Sequence, residues 1–259
     1  MRKPFRSTLL QGAAFAMLLV LAAWAIQHGA ASMPYRWQWQ RIPPFLFRTI
    51  DGTIYPGPLI KGLGVTLRIS TFGFLVTLTA GLAAALLLLS VSLVGRALAR
   101  AYVEAIRNTP LLVQLYLFYF VLAPILGMGR ELTGILALGL FEGAFAAEIM
   151  RAGILAVPRG QSEAALSLGL TRWQTFRHVV LPQGVRIVLP PLVSLSISLV
   201  KHSAIVSAIA IFDLTNEARN IIADTFMTFE IWLTVAAIYL VVTTTMSQLA
   251  GLLERRLIR

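Results

Sequence analysis

The sequence contains no cysteine among its 259 residues. This absence excludes disulfides, thiolate metal ligands and cysteine nucleophiles, and it leaves the redox compartment of the protein open. Histidine is almost as scarce, since His28, His178 and His202 lie in three separate regions. The sequence also lacks a zinc-hydrolase motif, a nucleophile elbow and a glycine-rich phosphate loop. We therefore expect a chain that is not an enzyme and that binds no metal, cofactor or ATP itself.

Charged residues are few, and they are unevenly distributed. They make up 13% of the chain, against 58% hydrophobic residues, and the mean hydropathy is +0.79. These values lie far from those of soluble domains and predict a membrane protein. The net charge is +11. The basic residues stand singly in short loops, which is typical of topology signals and not of a nucleic-acid-binding surface.

Long apolar runs define the predicted membrane spans, because a bilayer-crossing helix needs about 20 apolar residues. Four charge-free runs qualify: Ser7 to Gln27, Ile69 to Gly95, Asn108 to Gly129 and Ile231 to Leu253. Two further runs, 132–157 and 187–211, are long enough but contain ionisable residues. We predict an all-α, polytopic bundle of about six spans. The first span has no evident cleavage site, which favours an uncleaved anchor over a signal peptide.

The basic residues also predict the orientation of the chain. With six spans, 14 of the 22 Lys and Arg residues fall on the side of the two termini. The positive-inside rule then places both termini in the cytoplasm. Residues 28–58 are external under this topology, and we assign them no function. No internal repeat of 20 to 50 residues is evident, nor is any segment of low complexity.

The longest inside segment, Pro158 to Pro182, is called the long loop below. It reads as two short helices separated by Gly169, which suits a left-handed residue at a helix end. Thr171 and Gln174 form a capping-box pattern that starts the second helix, and Pro182 is expected to end it. The second helix carries an apolar face, made of Leu170, Trp173, Phe176 and Val180. From this pattern alone, the helix either lies on lipid headgroups or docks on another protein.

A resemblance favours docking. The loop contains Glu163-Ala164-Ala165, then Gly169, and later Leu181-Pro182. This spacing resembles the EAA signature loop of permease subunits of binding-protein-dependent ABC importers. Three further segments resemble the polar amino-acid branch of that family, and they are RNTPLLVQ from Arg107, AEIMRAGILAVPRGQ from Ala147, and SLVK ending at Lys201. The resemblance covers about residues 60 to 255.

The resemblance implies a type I ABC importer core at 60–259, preceded by a transmembrane anchor and external segment at 1–59. It implies a bacterial inner-membrane permease that forms the path for a polar amino acid. The implied partners are ATPase subunits that use ATP and Mg, a second permease subunit, identical or paralogous, and an extracellular solute-binding protein. The residues expected to couple to the ATPase are Glu163, Ala164, Ala165, Gly169, Leu170, Trp173, Leu181 and Pro182.

Ionisable residues inside predicted spans require a second explanation, because charge at mid-bilayer is costly. Glu142 and Glu148 are six positions apart and are not expected to form a carboxylate pair, whereas Glu148 and Arg151 are spaced to pair locally. We expect the translocation path to include a set of polar residues, namely Glu148, Lys201, His202, Ser203 and Gln114. A purely structural interhelical pair is the open alternative. The family commonly has an acidic residue or Asn after the lysine, and His202 departs from that pattern, which leaves the substrate in doubt.

A secondary transporter would need repeated half-domains or broken helices around a central site, and no repeat is evident. An ABC permease for another small polar solute stays open. The acidic residues of the last external loop, Asp213, Glu217, Asp224 and Glu230, form either a docking patch for the binding protein or an ordinary solvated loop.

Overall fold

A computed structural model of the chain describes residues 5–32 and 35–257. The chain divides into two units, residues 1–39 and 40–259. In the first unit, helix α1 spans Phe5–Ser32. Residues 11–25 are exposed throughout, and Gln11–Gly29 is long and apolar enough to cross a membrane. Its uniformly apolar surface suits contact with lipid on all sides.

The second unit is almost entirely helical. It begins with a short helix, α2 (Pro43–Leu46), and a hairpin of β1 (Phe47–Ile50) and β2 (Thr53–Pro56). The helices that follow are α3 (Pro58–Leu89), α4 (Leu93–Arg107), α5 (Leu111–Leu117), α6 (Ala123–Leu126), α7 (Arg130–Leu155), α8 (Arg159–Ser167), α9 (Arg172–Thr175), α10 (Leu181–His202), α11 (Leu214–Thr225) and α12 (Thr228–Leu257). Two π turns, Phe118–Leu122 and Phe176–Val180, and a 3₁₀ segment, Ser203–Ile209, extend neighbouring helices.

The predicted helical bundle is confirmed. Five helical segments of the described chain can cross a membrane, and the bent pair Leu93–Arg107 and Leu111–Leu126 brings the count to six if it is one span. Those in the second unit, apart from the bent pair, are Pro58–Leu89, Arg130–Leu155, Arg172–Ile209 and Thr228–Leu252. The bend between α4 and α5 is 110°.

Helix α7 lies at the centre of the second unit and packs against α3, α4 and α10. Its buried face consists mainly of small residues, including Ala137, Ala144 and Ala147. Small residues let helix backbones approach closely where no hydrophobic force drives association in lipid. Gly153 is the extreme case, because a Cβ atom there would overlap the Val188 side chain of α10. This close approach fixes where α7 crosses α10.

Several predicted boundaries were wrong. Helix α3 begins at Pro58, not at Ile69, and it carries Lys61 and Arg68 in its first turns. The span predicted at 187–211 belongs to a longer segment, Arg172–Ile209. Single charges near a helix end do not stop the helix, since long side chains extend to the interface. The segment between the predicted spans 69–95 and 108–129 belongs to α4, which was not predicted and whose N-cap Ser92 accepts a hydrogen bond from the Gly95 amide.

The hairpin in the external segment was not predicted. Its turn is Asp51-Gly52, and both residues have positive φ, 51° and 76°. This is the conformation that two-residue hairpin turns favour, and Asp-Gly is a common sequence signal for it. The pairing of Ile50 with Thr53 closes the turn. The Asp-Gly dipeptide between two short β-prone runs is therefore a sequence signal for this hairpin.

Candidate functional site

The long loop is a rigid turn between helices. At the end of α8, the Gly169 amide donates to the Leu166 carbonyl at 3.0 Å, and the Leu170 amide donates to the Ala165 carbonyl at 3.2 Å. These two bonds define a Schellman motif, in which the residue after the helix adopts a left-handed conformation. Gly169 has φ +85°. The predicted role of Gly169 in the turn is confirmed.

The predicted capping box is also present. The Thr171 amide donates to the Gln174 side-chain oxygen at 2.8 Å, and the Gln174 amide donates to the Thr171 hydroxyl at 3.3 Å. The backbone groups left unpaired at the end of α8 and at the start of α9 thus have local hydrogen-bond partners, and Leu170 lies between these two helix ends. The turn therefore has a defined shape without any partner.

The prediction that Pro182 ends the second helix was wrong. The helix passes through the π turn Phe176–Val180 directly into α10. Within the π turn, the Leu181 amide bonds to the Phe176 carbonyl, five residues back. Pro182 lacks an amide proton, and the wider turn accommodates this without breaking the helix. The long loop is consequently joined to a membrane helix by continuous helical backbone.

The long loop exposes large apolar side chains. Leu168 is 82% exposed and Trp173 is 68% exposed. Of the other residues predicted to couple to an ATPase, Glu163, Ala164, Gly169 and Pro182 are exposed, Leu170 and Leu181 are half-buried, and Ala165 is buried. Leu166 and Leu168 were not predicted as surface contacts. Their exposure becomes evident only once the turn at Gly169 directs them outward.

Two polar residues meet between α7 and α10. His202 Nδ1 and Glu142 Oε1 are 2.5 Å apart. The Glu142 side chain is only 3% exposed, whereas that of His202 is 44% exposed. His202 is the last residue of α10, before the backbone tightens into the 3₁₀ segment. The pair therefore joins the centre of α7 to a change of helix type, with Lys201 exposed beside it.

Glu142 was noted in the sequence but given no role, and a sequence separation of 60 residues hides this pairing. The family pattern has an acidic or amide residue after the lysine, and this chain has His202 there. The structure brings a carboxylate to the same place from another helix.

The side chains of the other predicted path residues have other partners. Glu148 Oε2 lies 2.9 Å from an Arg151 guanidinium nitrogen, as the spacing predicted. Glu148 also lines a pocket together with arginines of α4. The Gln114 amide nitrogen donates to Ile106, at 2.8 Å, and to Thr109. These bonds hold the bend between α4 and α5. The Ser203 hydroxyl donates to the Val200 carbonyl at 2.7 Å and is buried.

The acidic residues of the last external loop do not form one solvated patch. Asp213 and Glu230 are fully buried. Asp213 is the N-cap of α11, where its carboxylate accepts hydrogen bonds from the Thr215 and Asn216 amides. Burial raises the pKa of Asp213 to about 6. Burial also raises the pKa of Glu217, which Lys61 opposes. Asp213 and Glu230 are therefore part of the buried interior and do not belong to an exposed acidic patch. Within the described residues, no group of three or more His, Asp or Glu side chains is arranged to hold a metal ion.

Comparisons with known proteins identify the family. The model of the binding-protein-dependent transport system inner membrane component matches residues 77–259. The glutamine transport system permease protein GlnP of Escherichia coli strain K12 is 36% identical over 202 residues, which cover 77% of this chain and 92% of the relative. The probable glutamine ABC transporter permease protein GlnM of Bacillus subtilis strain 168 is 39% identical over 200 residues, covering 76% and 92%.

A solved structure agrees with these relatives. A chain in the crystal structure of an amino acid ABC transporter with histidines is 42% identical and superposes with a TM-score of 0.73, covering 77% of this chain and 94% of that one. The segments that prompted the resemblance, including the long loop, lie largely within the matched range. The chain therefore belongs to the family of binding-protein-dependent transport system inner membrane components, the membrane-spanning permeases of ABC importers.

Proposed function

We propose that the chain forms part of the translocation path for a polar amino acid and couples that path to a separate ATPase through the long loop. One observation carries the proposal. The exposed Trp173 and His202, the hydrogen-bond partner of Glu142, lie on the same helical run, Arg172–Ile209. At about 1.5 Å per residue, Trp173 and His202 are roughly 40 Å apart along that run. A stiff element of this length transmits displacement from one end to the other, which a flexible loop does not.

The docking end has the chemistry of a protein contact. Leu168 and Trp173 are exposed on a turn that is held by its own hydrogen bonds. Pre-organised apolar side chains on a rigid element are typical binding anchors, because little conformational freedom is lost on binding. The partner that we propose is an ATPase subunit that hydrolyses ATP with Mg. The coupling residues remain those predicted, with Leu166 and Leu168 added.

The path end has the chemistry of an amino acid site. A zwitterionic amino acid presents one carboxylate and one ammonium group. Lys201 is exposed and complements the carboxylate, and the Glu142–His202 pair lies directly beside it. The curated relatives are named for glutamine and the solved relative is described with histidines, which supports a polar amino acid as substrate.

Three further elements complete the proposed importer. Two are partner proteins, namely a second permease subunit, identical or paralogous, and a solute-binding protein on the outer side. The third is the orientation of the chain, with both termini in the cytoplasm. The excess of basic residues on the terminal side supports this orientation. The anchor at residues 1–59 remains a prediction about domain organisation.

The substrate proposal is tested by ATP-dependent uptake into proteoliposomes that contain the complete complex. Uptake of one polar amino acid that requires both ATP and the binding protein is expected. Lys201→Met is expected to raise the KM for that substrate, while Lys61→Met, which changes an exposed lysine in the first turn of α3, is the matched control. Unchanged uptake kinetics with lowered thermal stability in Lys201→Met would assign Lys201 a structural role instead.

A further inference from the structure

A polar pocket lies between α4 and α7, and neither Glu142 nor His202 lines it. Its volume is about 290 Å³. Helix α4 contributes Arg100, Glu104 and Arg107, and helix α7 contributes Glu148 and Arg151. We call this the arginine pocket. It brings together two of the segments by which the sequence resembles its family, the one that starts at Arg107 and the one that contains Glu148.

The charges of the arginine pocket are only partly balanced. Arg151 is paired with Glu148 at 2.9 Å. The Arg107 guanidinium lies over the Phe145 ring at 5.4 Å, and no ion pair of the described residues includes Arg100, Glu104 or Arg107. Three arginines against two glutamates leave a positive charge, with guanidinium donors of Arg100 and Arg107 directed to no carboxylate. A planar guanidinium binds phosphate well, because its N–H groups match two phosphate oxygens.

Helix α4 provides an apolar surface beside this positive charge. Ala99 and Val103 face the bundle and are buried. On another side of the same helix, Val94 is 68% exposed and Leu98 is 65% exposed. A helix that presents charged residues on one face and exposed aliphatic residues on another is typical of the membrane interface. The 110° bend to α5 turns α4 away from the direction of the span that follows.

We propose that the arginine pocket binds the phosphate headgroup of an anionic phospholipid, whose acyl chains lie along the exposed aliphatic face of α4. The volume suits a headgroup and not a whole lipid. Phosphatidylglycerol fits the net positive charge, whereas the choline ammonium of phosphatidylcholine opposes it. Basic pockets between membrane helices are a recognised form of site for such headgroups. Because both helices supply arginines, the bound phosphate stabilises the contact of α4 with α7.

The test uses the purified full chain in a neutral maltoside detergent and follows the midpoint of thermal unfolding. Short-chain phosphatidylglycerol, short-chain phosphatidylcholine and inorganic phosphate are titrated separately. A saturable rise in the midpoint is expected with phosphatidylglycerol only. Arg100→Gln is expected to weaken the apparent affinity about fivefold, the effect of one basic residue near an anionic headgroup. Arg219→Gln removes the same charge from an exposed site on α11 and is expected to leave the affinity unchanged.

A second variant changes the affinity in the opposite direction. Glu104→Gln removes a negative charge from the arginine pocket and is expected to tighten phosphatidylglycerol binding several-fold. This result does not depend on whether Arg100→Gln folds. An equal rise with phosphatidylcholine would overturn the proposal, as would affinities unaltered by both pocket variants. An equal rise with inorganic phosphate at the same concentration would assign the pocket to free phosphate and overturn the lipid as its ligand.

Discussion

Glu142 on α7 and His202 on α10 are joined by a short hydrogen bond, 2.5 Å from oxygen to nitrogen, inside a membrane-spanning bundle. The carboxylate is almost completely buried while the imidazole is partly exposed. A buried acid in such a place needs a partner, because an isolated charge in a low-dielectric environment is strongly destabilising. The histidine is thus both the structural partner of Glu142 and a polar group that remains accessible beside Lys201.

Breaking this pair from the histidine side is expected to be costly. His202→Ala leaves Glu142 buried without its hydrogen-bond partner, so we expect a loss of about 1 to 3 kcal/mol in the free energy of unfolding. Thermal unfolding of the purified chain measures this loss. Glu142→Gln combined with His202→Gln replaces the pair by two neutral amides and is expected to recover much of the stability. Strictly additive effects of Glu142→Gln, His202→Gln and the double variant that combines them would show that the two side chains are not coupled.

The turn of the long loop gives a prediction with a matched control. Gly169 has φ +85° and open space around it, so Gly169→Ala is opposed by backbone strain alone, about 1 to 2 kcal/mol. Gly160 also has open space, but its φ is not in the left-handed region. Gly169→Ala is expected to slow ATP-driven uptake without impairing membrane insertion, and Gly160→Ala to leave uptake unchanged. Normal uptake by Gly169→Val, with its bulkier side chain, would refute the need for this turn in coupling.

The close crossing of α7 and α10 predicts that a second substitution restores stability lost through a first one. Gly153→Ala places a Cβ atom against Val188, and the overlap is expected to cost about 1 to 3 kcal/mol. Val188→Ala removes the atoms that clash. The double variant is therefore expected to be more stable than Gly153→Ala alone, although Val188→Ala by itself is destabilising. Thermal unfolding of the three proteins decides this, and a double variant that is less stable than Gly153→Ala would contradict the packing described.

Asp213 predicts a pH dependence of stability. Its pKa is about 6 in the folded chain against an ordinary 3.8, so between these values the folded state binds more protons than the unfolded state. Stability therefore falls as the pH rises from about 4 to about 6 and then stays level, by up to about 3 kcal/mol from this group. Asn is also a good N-cap. Asp213→Asn is expected to lack this fall, and parallel unfolding profiles of the two proteins over that pH range would contradict the assignment.

The sequence predicted those features that depend on neighbouring residues. The turn at Gly169, the capping box of Thr171 and Gln174, and the ion pair of Glu148 with Arg151 all involve residues within a few positions of one another. Composition and apolar runs predicted the bundle, because the thickness of the bilayer sets the length of its helices.

Features that depend on distant residues were not predictable in this way. The pairing of Glu142 with His202 and the burial of Asp213 and Glu230 arise from contacts between separate helices. The prediction that the second loop helix ends at Pro182 was wrong, because a π turn accommodates a residue that lacks an amide proton. Helix α4 was overlooked because its charged residues concealed an amphipathic period.

The most direct test of the account is whether the long loop holds the ATPase. Tagged chain is purified in mild detergent from its native membrane, and the proteins that accompany it are identified by mass and assayed for ATP hydrolysis. The unaltered chain and Val91→Ser, which changes a 97% exposed apolar residue between α3 and α4, are expected to retain an ATPase. Leu168→Ser combined with Trp173→Ser is expected to lose it while remaining inserted and folded. Equal recovery of the ATPase with all three proteins would contradict the coupling role of the long loop.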